Sequence, residues 1–297
     1  MAKMADLAKR MFFVLWAVPL AWWILNSTIS VTPKSWTYIY PGQVLMLLLT
    51  FLGYYEYKKM LGIANPKNGF WVGYVWLALQ AFFYFDNTNI PSNLGVYLLL
   101  LLVALETFIW GKNSQQKRWM RASLLFSGTV FMYIAMISML NFYKDPFQSL
   151  FVKNSIPMLS QLGICTVIAA VFFCDSGAYF VGNLWGKTHF SSISPKKTLE
   201  GSIGGFLSAA LLVGVVWFFI GNPAYPKWLG IILGILIGIF AQIGDLLVSL
   251  MKRYFSVKDA SDIIPGHGGI LDRFDSVFFA VPVVSLFAWL VNRIFGY

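Results

Sequence analysis

Twelve residues near the C-terminal end, PGHGGILDRFDS (265–276), hold His267, Asp272, Arg273 and Asp275 among three glycines and a proline. Asp272 and Asp275 stand three apart where an apolar run begins. At the first turn of a helix that spacing turns both side chains toward one site. Gly266, Gly268 and Gly269 let backbone come close to a ligand, and His267 and Arg273 add donors for a phosphate.

Two apolar segments carry polar groups of the same kind. In WLGIILGILIGIFAQIGDLLVSLMKRYF (228–255), Gln242, Asp245, Ser249 and Lys252 are spaced three, four and three apart, a single stripe down one helix face. Asp245 lies roughly 10 Å inside the basic end. A carboxylate at that depth costs a few kcal/mol in lipid and so belongs against protein or a wet cavity. In CDSGAYFVGNLWG (174–186), Asp175, Ser176, Tyr179 and Gly182 or Asn183 share a face. Between these segments, SPKKTLEGSIGG (194–205) reads as a turn, then a helix start capped by Thr198 or Ser194. Lys196 and Lys197 beside the first amides of that helix suit an anion.

The inventory is four carboxylates (Asp175, Asp245, Asp272, Asp275) and five cations (Lys196, Lys197, Lys252, Arg253, Arg273) expected at one membrane face. Oxygen donors without cysteine or clustered histidine favour Mg²⁺ over zinc, and Mg²⁺ arrives with substrate phosphates. The chemistry supported is phosphoryl or nucleotidyl transfer at a membrane surface. We expect Asp245, Lys252, Asp272 and Asp275 to be catalytic. Asp245 and Asp272 would be the principal ligands of one Mg²⁺ ion or two, with Asp275 and Asp175 completing the cluster. Lys196, Lys197, Ser249, Arg253, His267, Gly268, Gly269 and Arg273 would bind substrate and phosphate.

The elements that must position these groups are membrane helices. Of 297 residues, 58% are hydrophobic and 11% charged, and mean hydropathy is +0.69. Apolar stretches of bilayer length occur at about 11–30, 37–57, 69–86, 94–111, 122–142, 159–183, 200–221, 228–251 and 276–296. Tryptophan and tyrosine gather near many of their ends. The fold class is therefore all-α: a polytopic membrane protein of about nine transmembrane helices, the first an uncleaved anchor. With a cytosolic N-terminus, 17 of the 22 lysines and arginines fall on the cytosolic side and five outside, as the positive-inside rule requires. The net charge of +10 thus reflects topology and anionic headgroups and needs no nucleic-acid partner. Residues 1–158 read as scaffold helices with lipid or dimer contacts. There Glu56 beside Lys59, and Glu106 near Lys112, read as interfacial ion partners. Residues 159–297 read as a catalytic bundle with cytosolic loops 184–199 and 252–275. Cys165 and Cys174, nine residues apart on one helix, are too distant for a disulfide.

At these residues a resemblance enters. SLMKRYFSVKDASDIIPGHGGILDRFDS (249–276) resembles the signature of the phosphatidate cytidylyltransferase (CDP-diacylglycerol synthase) family, through Ser249, Lys252-Arg253, Lys258-Asp259, Pro265, His267-Gly268-Gly269, Asp272-Arg273 and Asp275. The upstream DSGAYFVG, SPKKTLEG and QIGDLLVS are similar to family motifs too, so the likeness covers roughly 170–276; residues 1–158 match only in being hydrophobic. The resemblance implies that CTP and phosphatidate give CDP-diacylglycerol and pyrophosphate. It also implies a Mg²⁺ requirement, a homodimer, and a site in the cell (inner) membrane facing the cytosol. Two rival readings use the same residue types. One is a CTP-dependent kinase of a polyprenol-type lipid; the other is a cation-coupled transporter. The transporter reading expects carboxylates at the midplane and an inverted repeat, and the sequence has neither.

Overall fold

The computed structural model describes residues 24, 29–30, 38–61, 72–86, 115–143, 150, 162–189, 197–263 and 268–295. Among them are seven helices: α1 (Pro41–Met60), α2 (Val72–Asp86), α3 (Gln115–Asn141), α4 (Leu162–Trp185), α5 (Leu199–Ile220), α6 (Trp228–Tyr254) and α7 (Leu271–Phe295). Five stretches, Ser123–Asn141 of α3, Gly163–Trp185 of α4, and all of α5, α6 and α7, are long and apolar enough to cross a membrane. This is an all-α membrane protein. The expected span at 94–111 lies outside the described residues, as does that at 11–30 apart from Ile24, Ile29 and Ser30.

Several expected ends move. Ile29–Ser30 (β1) and Tyr38–Ile39 (β2) form a two-residue antiparallel pair rather than the ends of helices. The following helix starts at Pro41, where a fixed φ and a missing N–H suit the first helical position. The last helix begins at Leu271, five residues before the expected span start at Ser276, so Asp272 and Asp275 lie inside its first turns. Hydropathy marks where a helix becomes apolar, not where it becomes helical, and a polar first turn is invisible to it.

Helices α4, α5, α6 and α7 pack in chain order, each against the next. Small residues let them approach closely. At Gly244 of α6, a Cβ would stand 2.8 Å from Phe279 Cβ and 2.9 Å from the Asp275 carbonyl oxygen of α7. That contact fixes the register of Asp245 against Asp275. The N-terminal helices are joined to this group through α7. Phe131 of α3 stacks near Phe279 with centroids 4.4 Å apart, and Ser285 Oγ donates to the Ser138 carbonyl. Tyr57 of α1 donates to the Leu124 carbonyl at 2.6 Å, and Tyr54 shares a 2.9 Å hydrogen bond with Thr129. Exposed Phe172, Phe173, Phe180, Leu207, Leu211 and Phe219 form the outer faces of α4 and α5, as lipid-facing helices require.

Candidate active site

The expected stripe on α6 is bonded to its neighbours step by step. Gln242 Nε2 donates to the Ser202 carbonyl of α5 at 2.9 Å and approaches Cys174 Sγ of α4 at 3.4 Å. One turn on, Asp245 Oδ2 accepts from Lys197, just before α5. Its Oδ1 accepts from Ser249 Oγ at 3.3 Å. At the end of the stripe Lys252 Nζ donates to Asp272 Oδ1 at 2.7 Å. A single helix face thus ties α4, α5 and the start of α7 together.

The start of α5 is built to hold Lys197. Thr198 has extended N-cap geometry, and its Oγ1 accepts from Gly201 N at 3.2 Å. Of the two candidate caps, Thr198 does the capping, while Ser194 and Lys196 lie outside the described residues. Leu199 N donates to the Thr188 carbonyl and Ser202 N to the Thr198 carbonyl. Glu200 turns back to accept from the amides of Lys187 and Thr188, both at 3.2 Å, and from Thr188 Oγ1 at 2.9 Å. The amides at Leu199, Gly201 and Ser202 are therefore spent inside the protein. The expected anion site at this helix start keeps its lysine and loses those donors.

Asp272 is the most heavily bonded of the four aspartates. Oδ1 takes Lys252, and Oδ2 accepts from Ala260 N at 2.8 Å and Gly269 N at 3.0 Å. Its side chain is 7% exposed. Gly268 has φ +81°, the left-handed region that glycine enters without strain. Asp275 is buried, and its Oδ1 accepts from Ser276 N at 2.6 Å and Ser276 Oγ at 3.2 Å. Asp175 is exposed on α4, as are Arg253 at the end of α6 and Arg273 in the first turn of α7. His267 lies outside the described residues.

Asp175, Asp245 and Asp275 come from α4, α6 and α7, three helices that pack against one another. Among the described residues no three His, Cys, Asp or Glu side chains stand close enough to form a ready metal cage. Asp245 and Asp272, expected as the principal ligands, each have donors on both oxygens in this arrangement.

Beside the site, a cleft of about 360 Å³ opens between the end of α1 and the segment after α6. Lys59, Lys258, Asp259, Ser261 and Asp262 line it. One residue bonded to Ser261 makes contacts that its sequence neighbours do not suggest. Glu56 of α1 is fully buried, and it accepts from Ser261 Oγ, from Ile270 N at 2.9 Å and from Leu271 N at 2.6 Å. The sequence pairs Glu56 locally, at a helix end. Its bonds instead reach across the fold to residues that no local pattern selects.

Comparison with known proteins places the chain in a family. The family model described as the cytidylyltransferase family matches residues 8–291. The phosphatidate cytidylyltransferase of Synechocystis sp. is 48% identical over 127 residues, 41% of this chain and 42% of that protein. That of Staphylococcus haemolyticus is 46% identical over 117 residues, covering 39% and 45%. That of Bacillus subtilis is 41% identical over 128 residues, covering 42% and 47%. The matched part thus spans less than half the length of these relatives.

Proposed function

The chain belongs to the cytidylyltransferase family, and on that premise we propose that it transfers the cytidylyl group of CTP to phosphatidate, giving CDP-diacylglycerol and pyrophosphate. The observation that carries the reading is the pair of lysine–aspartate contacts, Lys197 with Asp245 and Lys252 with Asp272, at the end of a membrane bundle. A site that brings two polyanions together needs fixed cations, and it needs carboxylates to keep those cations in place. An ammonium has three donors, so each lysine can hold its aspartate and still reach a phosphate.

The phosphomonoester of phosphatidate, with a second pKa near 6, is largely a dianion at neutral pH. It attacks the α-phosphorus of CTP without a general base. The new P–O bond forms as the bond to the β-phosphate oxygen breaks, and pyrophosphate leaves with its electron pair. Lys197 and Lys252 contact the phosphates from two sides, and Arg253 and Arg273, both exposed, guide the nucleotide inward. Asp245 and Asp275, with Asp175 in support, would hold Mg²⁺, which supplies charge screening for the leaving phosphates. Asp272 holds the loop at Gly269 against Lys252.

The same reading covers the setting. The protein has nine transmembrane helices with a cytosolic N-terminus, lies in the cell membrane as a homodimer, and meets CTP on the cytosolic face. The excess of lysine and arginine in alternate loops supports that orientation. Incubating the purified chain in detergent with CTP, Mg²⁺ and phosphatidate tests the activity. Cytidine should appear on the lipid, and its absence would defeat the proposal.

A further inference from the structure

A helix leaves its first amides without intrahelical partners, and burying such amides requires an acceptor. Two of the amides at the start of α7, Ile270 N and Leu271 N, point at one carboxylate, and that carboxylate comes from α1. Glu56 stands 214 and 215 residues away from them in sequence. Its negative charge at the N-terminal end of α7 is placed where the helix dipole favours it. The same carboxylate accepts from Ser261 Oγ, so it grips both flanks of the 264–267 segment. The packing leaves little slack: a Cβ on Gly269 would stand 2.6 Å from Glu56 Oε2.

Asp272 grips the same two flanks one step away, through Ala260 N and Gly269 N. Two carboxylates therefore take the amides of Ala260, Gly269, Ile270 and Leu271. One of them, Asp272, also carries Lys252. The place of Asp272, and with it the place of the lysine, depends on a turn that Glu56 holds from behind. Glu56 is buried and is held within the protein by these bonds, so its effect on chemistry runs through the turn.

We infer that Glu56 is a positioning residue for the transfer reaction, setting the turn at 269–271 and through it the Lys252–Asp272 pair. The kinetic part of this inference rests on the cytidylyl-transfer reading; the structural part stands without it. A glutamine at position 56 has one acceptor oxygen and turns an NH₂ toward a donor, so the turn loosens while side-chain size is kept. A displacement of about 1 Å in a reacting group costs on the order of 100-fold in rate.

The test uses the full chain in detergent, with Glu56→Gln, Glu56→Asp and Ser261→Ala beside the parent. In Glu56→Gln, hydrogen exchange at Ile270 and Leu271 should quicken at least about tenfold, with the amides of α5 unchanged. Turnover per folded molecule should fall about 100-fold, while KM for CTP moves less than about threefold. Glu56→Asp keeps both acceptor oxygens and should recover part of the turnover. Ser261→Ala removes one donor of three and should give a smaller loss of the same kind, which keeps the test open if Glu56→Gln does not fold. Parent-like exchange at 270–271, or a loss of turnover that appears wholly in KM, overturns the inference. A parent chain that transfers no cytidylyl group defeats the functional reading instead, and the exchange measurement still decides the role of Glu56.

Discussion

Lys252 Nζ donates to Asp272 Oδ1 at 2.7 Å, joining the basic end of α6 to the first turn of α7. Their side chains are 14% and 7% exposed, so the pair lies largely out of water. A pair so placed is costly to break from one side, because the remaining charge has no compensation.

Asp272→Asn is the sharpest test of that pair. Asparagine offers one acceptor where the carboxylate serves a lysine and two amides. Turnover is expected to fall at least about 100-fold. Stability should fall by about 1–3 kcal/mol, read as a lower thermal midpoint in detergent. The double variant Lys252→Met with Asp272→Asn should regain part of the stability and none of the turnover, since the stranded ammonium is gone but the phosphate contact is too. A double variant that turns over like the parent would remove the pair from the chemistry.

Gly244→Ala addresses register. The added Cβ meets Phe279 and the Asp275 carbonyl oxygen at 2.8 and 2.9 Å, and the second of these is backbone that cannot swing aside. Overpacking of this kind costs about 1–3 kcal/mol. It should also part Asp245 from Asp275, so activity is expected to fall further than the thermal midpoint alone accounts for. Ile243→Ala, on an exposed position of the same helix, should do neither.

Much of this site is legible in the sequence because charge stands out against an apolar background. Asp175, Asp245, Asp272 and Asp275 announce themselves in that way, and the three-four-three spacing of Gln242 to Lys252 is enough to assign them to one helix face. The partners are not legible. Lys197 lies 48 residues from Asp245, and nothing local selects it over its neighbour Lys196. Glu56 has Lys58 and Lys59 within one turn, so local reasoning pairs it there. Its actual partners are the Ser261 hydroxyl, 205 residues away, and two backbone amides, which carry no residue type to read. The strand pair of Ile29–Ser30 with Tyr38–Ile39 escapes for a related reason: hydropathy does not detect it.

Orientation can be checked by labelling single cysteines in a chain with Cys165 and Cys174 replaced by alanine. Lys187→Cys, after α4, and Ser256→Cys, after α6, are both exposed positions and should react only from the cytosolic side. Pro223→Cys, in the turn between α5 and α6, should react only from the opposite side. Labelling of positions 187 and 256 from different sides would break the shared site.

Removal of divalent ions should stop the reaction. Chelation is expected to abolish transfer, and added Mg²⁺ to restore it, because the ion would supply the charge screening that two polyanions need in order to meet. Asp245→Asn loses a charged ligand and also strands Lys197. Turnover should fall at least about 100-fold even at saturating Mg²⁺, an effect of several kcal/mol on the barrier. Near-parent activity in this variant would move the ion elsewhere.

The last expectation separates nucleotidyl transfer from the kinase alternative, which the same lysines and carboxylates could serve. Attack at the α-phosphorus leaves cytidine on the lipid and releases pyrophosphate, whereas transfer of the γ-phosphoryl group leaves CDP in solution. Lys197 precedes α5 and Lys252 ends α6, and each is held by an aspartate of a different helix. Cations fixed on two sides suit a reaction in which one phosphate group arrives as another departs. CTP labelled in the base and, separately, at the γ-phosphate should therefore send the base label to lipid and the γ-label to pyrophosphate, one per lipid product. Inorganic pyrophosphatase should draw the reaction forward, because the bonds exchanged are alike and the equilibrium lies close to balance. A γ-label that moves into lipid while the base label stays in solution would replace the cytidylyltransferase reading with the kinase.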